Sequence, residues 1–476
     1  MIDMPRFVIP PGVASRGYTV SDGSRLAVAY NTRRQSVTTL EGDSAEVYQR
    51  LFDSRGDSSA ALAYIVEHGS FGEGEGAVEA AAATLQAFAS TLIDAGYLAL
   101  HGDTAAVARQ SIRRAATVAT AADPLENAEM HVGRVMADAH ILYQLVLELT
   151  HRCNERCVHC YCPQGVGSDE LTVEQLAQLL AEFRELGGFR LQLTGGELFC
   201  RKDLHAIFAL VKEQGFVVDV TSNLTLLTPQ NLDALVALEP RSVGCSIYSA
   251  DPALHDGVTQ LPGSWRRSTD AIRELRSRGI PVVLKTPLMN DTLAGWREVE
   301  ALALELDCDY QFDLALTARN DGDGEPMRFR ATDRPGIEDL FSSRYYRIRF
   351  KDEAAPPPTQ PDPDAMLCGA GSAGLIVGPD GTIRPCLGLM EPLGRFPSDS
   401  LTKVWQKSEF FERWSQLRWR DSVRCASCAD SAFCFRCPGA WELETGSRTK
   451  PPDYTCMLAS AWRAAWEAQN PGRTAP

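Results

Sequence analysis

From Leu142 to about residue 316, short apolar runs alternate with longer segments whose apolar positions recur every three or four residues. The clearest segment is Thr172–Leu186, where Val173, Leu176, Leu179, Leu180, Phe183 and Leu186 share one helical face. The apolar run Phe189–Leu193 follows it as a strand. Further strands are predicted at 216–221, 242–248, 281–286 and 310–315, with helices at 203–214, 228–238, 264–278 and 292–306. With Leu142–Leu149 as the opening strand, this alternation implies parallel strands joined by right-handed crossovers.

Residues 17–104 carry a different pattern. Leu26–Tyr30 and Val37–Leu40 flank Asn31-Thr32-Arg33-Arg34-Gln35, which reads as a hairpin turn. Asp43 is placed to cap a helix through Phe52, with Val47, Leu51 and Phe52 inward. A second helix is predicted over Ser59–Glu67. After a glycine-rich break at 69–76, a third is predicted over Ala77–Ala95, bearing Val78, Leu85, Phe88 and Leu92. Residues 105–140 read as a helical connector rich in Ala and Arg. Proline concentrates in 351–363, inside a linker region set at 317–365, because a helix or central strand tolerates it poorly. Residues 366–460 form a last, cysteine-rich domain.

Composition narrows the function classes. The 476 residues suffice for several cores, and the net charge of −15 with no basic cluster argues against a nucleic-acid partner. Met1–Arg6 does not read as the start of a signal peptide, and no uninterrupted apolar run of about 18 residues suggests a membrane span. Fourteen cysteines fit metal or redox chemistry better than a disulfide scaffold, so the expected compartment is the reducing cytoplasm.

Three of those thiols fall within eight residues, Cys153-x3-Cys157-x2-Cys160, just beyond the first strand. A loop this tight can offer three thiolates to one [4Fe–4S] cube and leave its fourth iron without a protein ligand. A zinc knuckle is the alternative that spacing alone leaves open. The motif, with His159 and Tyr161 flanking Cys160, resembles that of the radical SAM superfamily. The resemblance implies a partial (β/α)6 TIM-type barrel over 141–316, an α/β fold. It further implies S-adenosylmethionine (SAM) on the open iron and its cleavage to a 5′-deoxyadenosyl radical. Barrel chemistry collects where the strands end, and Gly195-Gly196-Glu197 follows the second strand. By the same resemblance this motif grips the methionine end of SAM, with Glu197 meeting its ammonium group. Ser222 and Asn223, and Ser246 with Tyr248, resemble positions that contact the ribose and the methionine carboxylate; ordinary strand-end polarity would look the same. Lys285 and Asp313 also fall near strand ends, as candidate catalytic proton acceptors or as members of a barrel salt bridge.

The last domain holds Cys368, Cys386, Cys425, Cys428, Cys434, Cys437 and Cys456, with Gly378-Pro379-Asp380-Gly381 as a hairpin turn between the first two. Locally, C-x2-C…C-x2-C could be a zinc ribbon. The full order resembles the SPASM domain, which implies two auxiliary [4Fe–4S] clusters. One would sit on Cys425, Cys428, Cys434 and Cys456, the other on Cys368, Cys386 and Cys437. The two residues between Cys434 and Cys437 depart from the three usual in that family. Cys162, Cys200, Cys245 and Cys308 stay unassigned.

The N-terminal strands and three helices resemble the PqqD-like winged-helix RiPP recognition element, the class that takes the leader of a ribosomal precursor peptide as an added strand. A DNA-binding winged helix is the alternative, and the third predicted helix carries no Lys or Arg to favour it. Together the resemblances imply a radical SAM maturase with one radical and two auxiliary clusters. A precursor peptide would be its substrate, and flavodoxin or ferredoxin its electron donor. The expected product is an intramolecular crosslink, thioether or carbon–carbon. Peptide epimerisation, backbone excision and maturation of a folded protein are the enzymatic alternatives. A metal-binding winged-helix regulator is the non-enzymatic one.

Overall fold

The computed structural model describes residues 4–20, 22–69, 75–102, 124–162, 169–346, 362–422 and 424–472. It divides into two compact units, one holding the N-terminal residues together with Pro124–His140, the other the bulk of the chain from Ile141. Most of the predicted connector before residue 124, and the proline-rich stretch to 361, lie outside the described residues.

In the first unit, β2 (Val13–Thr19), β3 (Arg25–Asn31) and β4 (Ser36–Glu41) form an antiparallel sheet in that order. β3 is central and buried from Leu26 to Asn31. The predicted turn closes through Asn31, whose Oδ1 accepts from the amides of Arg33 and Arg34 while its Nδ2 donates to Gly96 O at 2.7 Å. Helices α1 (Gly42–Asp53), α2 (Ser59–His68) and α3 (Glu75–Ala95) cover the sheet, with Tyr48, Leu51, Leu85 and Leu92 in the shared core. Asp43 does not cap α1; Glu41 holds that position, and Asp43 instead accepts from Tyr64 Oη. The unit also begins before residue 17. β1 (Phe7–Val8) pairs with β5 (Ala99–Leu100), and Phe7 enters the core. α3 is long and apolar enough to cross a membrane by composition alone, which qualifies the sequence reading. Its Ala81, Leu85, Ala89 and Leu92 are spent on the core. α4 (Pro124–Asp138) packs beside β4.

The second unit is built on six parallel strands in sequential order: β6 (Gln144–Glu148), β7 (Arg190–Thr194), β8 (Val217–Thr221), β9 (Ser242–Ser246), β10 (Val282–Pro287) and β11 (Asp309–Asp313). This is the predicted α/β barrel sheet. Helices alternate with the strands: α5 (Val173–Glu185), α6 (Leu204–Gln214), α7 (Pro229–Leu238), α8 (Pro252–Thr259), α9 (Ser264–Ser277) and α10 (Trp296–Glu305). Thr172 closes a capping box at the start of α5, which satisfies amides the helix itself cannot. α8 was not anticipated, although Asp251 at its N-cap and Pro252 at its first turn are a start signal.

Beyond the barrel, β12 (Gly374–Val377) adds parallel to the outer edge of β6. β13 (Thr382–Arg384) and β14 (Gly394–Arg395) extend the sheet antiparallel. The predicted turn at 378–381 joins β12 to β13. Gly381 sits at φ +84°, where a Cβ would come within 2.0 Å of Phe396 O. The cysteine-rich segment therefore continues the barrel sheet. Among the described residues five more α-helices follow: α11 (Arg334–Phe341), α12 (Leu401–Lys407), α13 (Glu409–Ser415), α14 (Pro438–Thr445) and α15 (Asp453–Gln469).

Candidate active site

The Cys153–Cys160 loop leaves the end of β6 and is tied down on every side. Gly196 N donates to Thr150 O and Glu197 N to Arg152 O, at 2.7 and 2.8 Å. A Cβ on Gly195 would fall 2.3 Å from Thr150 O, and one on Gly196 2.4 Å from Arg152 O, so bare backbone is required where the two loops meet. On the far side Arg156 N and Val158 N donate to Thr259 O and Val258 O, at the end of α8. Asn154 Nδ2 bonds Thr225 Oγ1, and Asn223 Nδ2 bonds Asn154 Oδ1. Tyr248 Oη donates to Cys157 Sγ at 3.7 Å, and its ring meets His159 edge-on.

The three thiols open into one cavity of about 790 Å³. Gly195, Gly196, Ser222, Asn223, Ser246, Tyr248, Lys285 and Asp313 line it, so the structure brings together nearly every residue the barrel motifs pointed to. Glu197 is the exception. It is fully buried, and its carboxylate accepts from Phe199 N, Ser222 Oγ and Asn223 N. It holds the Ser222–Asn223 turn and is not among the residues lining the cavity. Burial, its largest influence, pushes its carboxyl up while the three hydrogen bonds oppose that rise.

Among the described residues no group of three His, Cys, Asp or Glu converges on a single ion site. Burial pushes the Cys153 thiol up to about 12 and raises Cys157 as well.

Residues 147–302 match the radical SAM superfamily, and residues 368–438 match the SPASM iron–sulfur cluster-binding domain. This is a radical SAM enzyme. Its residues fit the cofactor that the superfamily implies: bare glycine backbone beside the thiols, polar groups from Asn223 and Ser246, and a buried His159 Nε2 with no partner among the described residues.

The radical SAM enzyme's remaining motif thiols fall into two sets. Burial raises the Cys368 and Cys386 thiols and nearby Cys437 adds to the rise; burial likewise raises Cys434 and Cys456, with Cys425 and Cys428 close enough to add to it. These are the groupings that the SPASM resemblance implies. Cys437 caps α14, its Sγ accepting from Ala440 N at 3.5 Å. It also lines the cavity that holds the radical thiols, together with Leu387, Gly388, Ala440 and Leu443. Sequence reasoning missed His151, Leu316, Thr317 and Asn320 on the cavity wall; none carries a motif signal. It also missed Glu155, buried beside Cys157 and pushed up to about 7 by that burial.

Among curated relatives, the PqqA peptide cyclase of Ruegeria pomeroyi is 29% identical over 303 residues, 60% of this chain and 79% of its own. The AdoMet-dependent heme synthase of Nitratidesulfovibrio vulgaris is 25% identical over 64% of this chain and 90% of its own. Among solved structures, Streptococcus suis SuiB bound to precursor peptide SuiA shares the fold over 94% of this chain and 99% of its own. Its TM-score is 0.57 at 13% identity.

Proposed function

We propose that the enzyme crosslinks a ribosomally made precursor peptide, joining two of its residues through a thioether or carbon–carbon bond. The single cavity shared by the radical thiols and Cys437 carries this reading. A reaction that creates a carbon radical and then sheds an electron as a bond closes has both needs met in one chamber. The PqqA peptide cyclase relative, and a fold likeness to SuiB that spans 94% of the chain, support a peptide substrate. The three-stranded sheet of the N-terminal unit offers edge strands on which a leader can add by main-chain hydrogen bonding.

On this reading SAM and a cluster at Cys153, Cys157 and Cys160 supply a 5′-deoxyadenosyl radical, and two auxiliary clusters supply a one-electron acceptor. The chain's own residues do the rest. Gly195 and Gly196 let the cysteine loop pack closely beside the cavity, while Asn223 and Ser246 offer the cofactor hydrogen bonds. Tyr248, between Cys157 and His159, fixes the loop and also lines the cavity. Lys285 leans down the barrel: its Cε lies 2.7 Å from where a Cβ of Gly244 would be, and Asp219 lies near its ammonium group. The expected electron donor is an external protein such as flavodoxin or ferredoxin, in a reducing cytoplasm that suits fourteen free thiols.

A tetrapyrrole substrate is the second reading, favoured by the heme synthase relative. Mass spectrometry separates the two. Anaerobic, cluster-loaded enzyme with SAM and reductant should remove two hydrogens from the peptide encoded beside its gene, for each crosslink formed. An unchanged mass with an inverted residue would mean epimerisation, and a larger loss backbone excision. An inert peptide beside a consumed porphyrin would sink the peptide reading.

A further inference from the structure

Closing a bond between a carbon radical and a second residue expels one electron and one proton. The electron has a destination in the auxiliary set, and the proton needs one too. Most ionisable side chains on the cavity wall outside the cluster thiols are already engaged, Tyr161 with Cys162 among them. Glu155 accepts from Cys157 within the cysteine loop. His159 and Tyr248 pack against each other beneath that loop. His151 lies 3.9 Å from Glu148, beside β6. Arg152 is held by Glu170, Arg156 donates to Cys153 O, and Lys285 leans toward the barrel floor.

Asp313, at the end of β11, differs from all of these. Its side chain is open to the cavity although protein surrounds it, and Oδ1 takes one hydrogen bond, from Ala315 N at 2.8 Å. No cation among the described residues pairs with it. That confinement raises its pKa, toward what a working proton acceptor needs.

The segment that presents Asp313 is also held from outside the barrel. Tyr454 Oη donates to Leu314 O at 2.9 Å, and the Arg330 guanidinium donates to Leu316 O at 2.9 and 2.7 Å. Arg330 is gripped in turn by both oxygens of Glu444, at 2.9 and 2.6 Å, and lies over the Tyr454 ring. Glu444 belongs to α14, the helix that Cys437 caps, and Tyr454 opens α15 two residues before Cys456. The cysteine-rich domain thus fixes the strand end that carries the free carboxylate.

We propose that Asp313 is the proton acceptor of bond closure, held at its post by the Arg330–Glu444–Tyr454 clamp. The assignment rests on the crosslinking reading above. Abstraction turns a substrate C–H into a carbon radical and yields 5′-deoxyadenosine. Attack on the second residue's X–H forms the C–X bond, sends the proton to the Asp313 carboxylate, and reduces an auxiliary [4Fe–4S]²⁺ cluster by one electron.

The test uses cluster-loaded enzyme and the peptide that the wild type is seen to crosslink; a wild type that crosslinks nothing refutes the functional reading instead. In Asp313→Asn, the ratio of crosslink to 5′-deoxyadenosine should fall at least tenfold. Freeze-quenched samples should show a longer-lived carbon radical by electron paramagnetic resonance. Peptide recovered from D₂O should carry deuterium at the abstracted carbon without a crosslink. Asp313→Glu should recover part of the ratio. Glu444→Gln, which loosens the clamp without touching the cavity, should lower the ratio as well, and it keeps the question open to test if the Asn variant misfolds. An unchanged ratio in Asp313→Asn, or in Glu444→Gln should that variant misfold, would overturn the assignment. So would a rise in peptide Kd at constant ratio, which would make the carboxylate an anchor for a substrate cation.

Discussion

Glu197 belongs to the motif expected to grip SAM, and its carboxylate is engaged by neighbouring protein groups. Its oxygens are saturated by Phe199 N, Ser222 Oγ and Asn223 N, all within 3.1 Å. Glu197→Gln would turn an amide NH₂ against at least one of these donors, at a cost of about 1–3 kcal/mol for the group left unpaired. The expected outcome is a lower melting temperature of cluster-loaded enzyme, with the SAM Kd changing only as far as the Ser222–Asn223 turn loosens. A Gln variant of unaltered melting temperature that binds SAM tenfold more weakly would restore the direct contact with the ammonium. The sequence marked this residue because glycine pairs ending a strand are informative. The direction of its side chain was not legible, since it depends on Ser222 and Asn223, about 25 residues away.

Elements with strong local signals were read closely. α5 runs from Val173 to Glu185 where 172–186 was expected, because its apolar positions and its Thr172 cap agree. β2 was missed because Val-Ala-Ser-Arg-Gly-Tyr-Thr has no apolar alternation; its strand character comes from pairing with β3. The junction of β12 with β6 was invisible for a different reason, since it joins residues some 230 apart by register alone. That junction is pinned by an ion pair. Arg384 of β13 donates to Glu148 of β6, whose carboxylate is fully buried. Breaking such a pair from one side leaves a lone buried charge and costs about 3–5 kcal/mol, whereas exchanging both partners for apolar groups is often neutral. Arg384→Met should therefore lower the unfolding midpoint markedly, and Glu148→Met combined with Arg384→Met should recover much of the loss. Equal losses in the single and double variants would show that packing, not charge, holds these strands of the sheet together.

At the scale of the whole molecule, the question is what the two auxiliary thiol sets do for a cavity that only one of them reaches. Anaerobically loaded protein is expected to hold about twelve irons, four for each of three clusters. Cys425→Ala and Cys437→Ala should each disturb one auxiliary cluster, and only the second should change the cavity wall. Three thiols are evident for the set that includes Cys437, and Cys437 and Gly388 lie on that wall. An iron there that lacks a fourth protein ligand would face the substrate chamber, and cluster potential responds to such ligation and to solvent exposure. A substrate thiolate bound at that iron would be held near the carbon radical, favouring thioether closure by proximity. A small thiol can stand in for it. N-acetylcysteine added to the reduced enzyme should change the electron paramagnetic resonance signal of this auxiliary cluster and leave that of the Cys425 set alone. The response should vanish in Cys437→Ala. A signal indifferent to millimolar thiol would mean that the cluster is closed by a protein ligand, and would leave it the role of electron acceptor for a carbon–carbon bond.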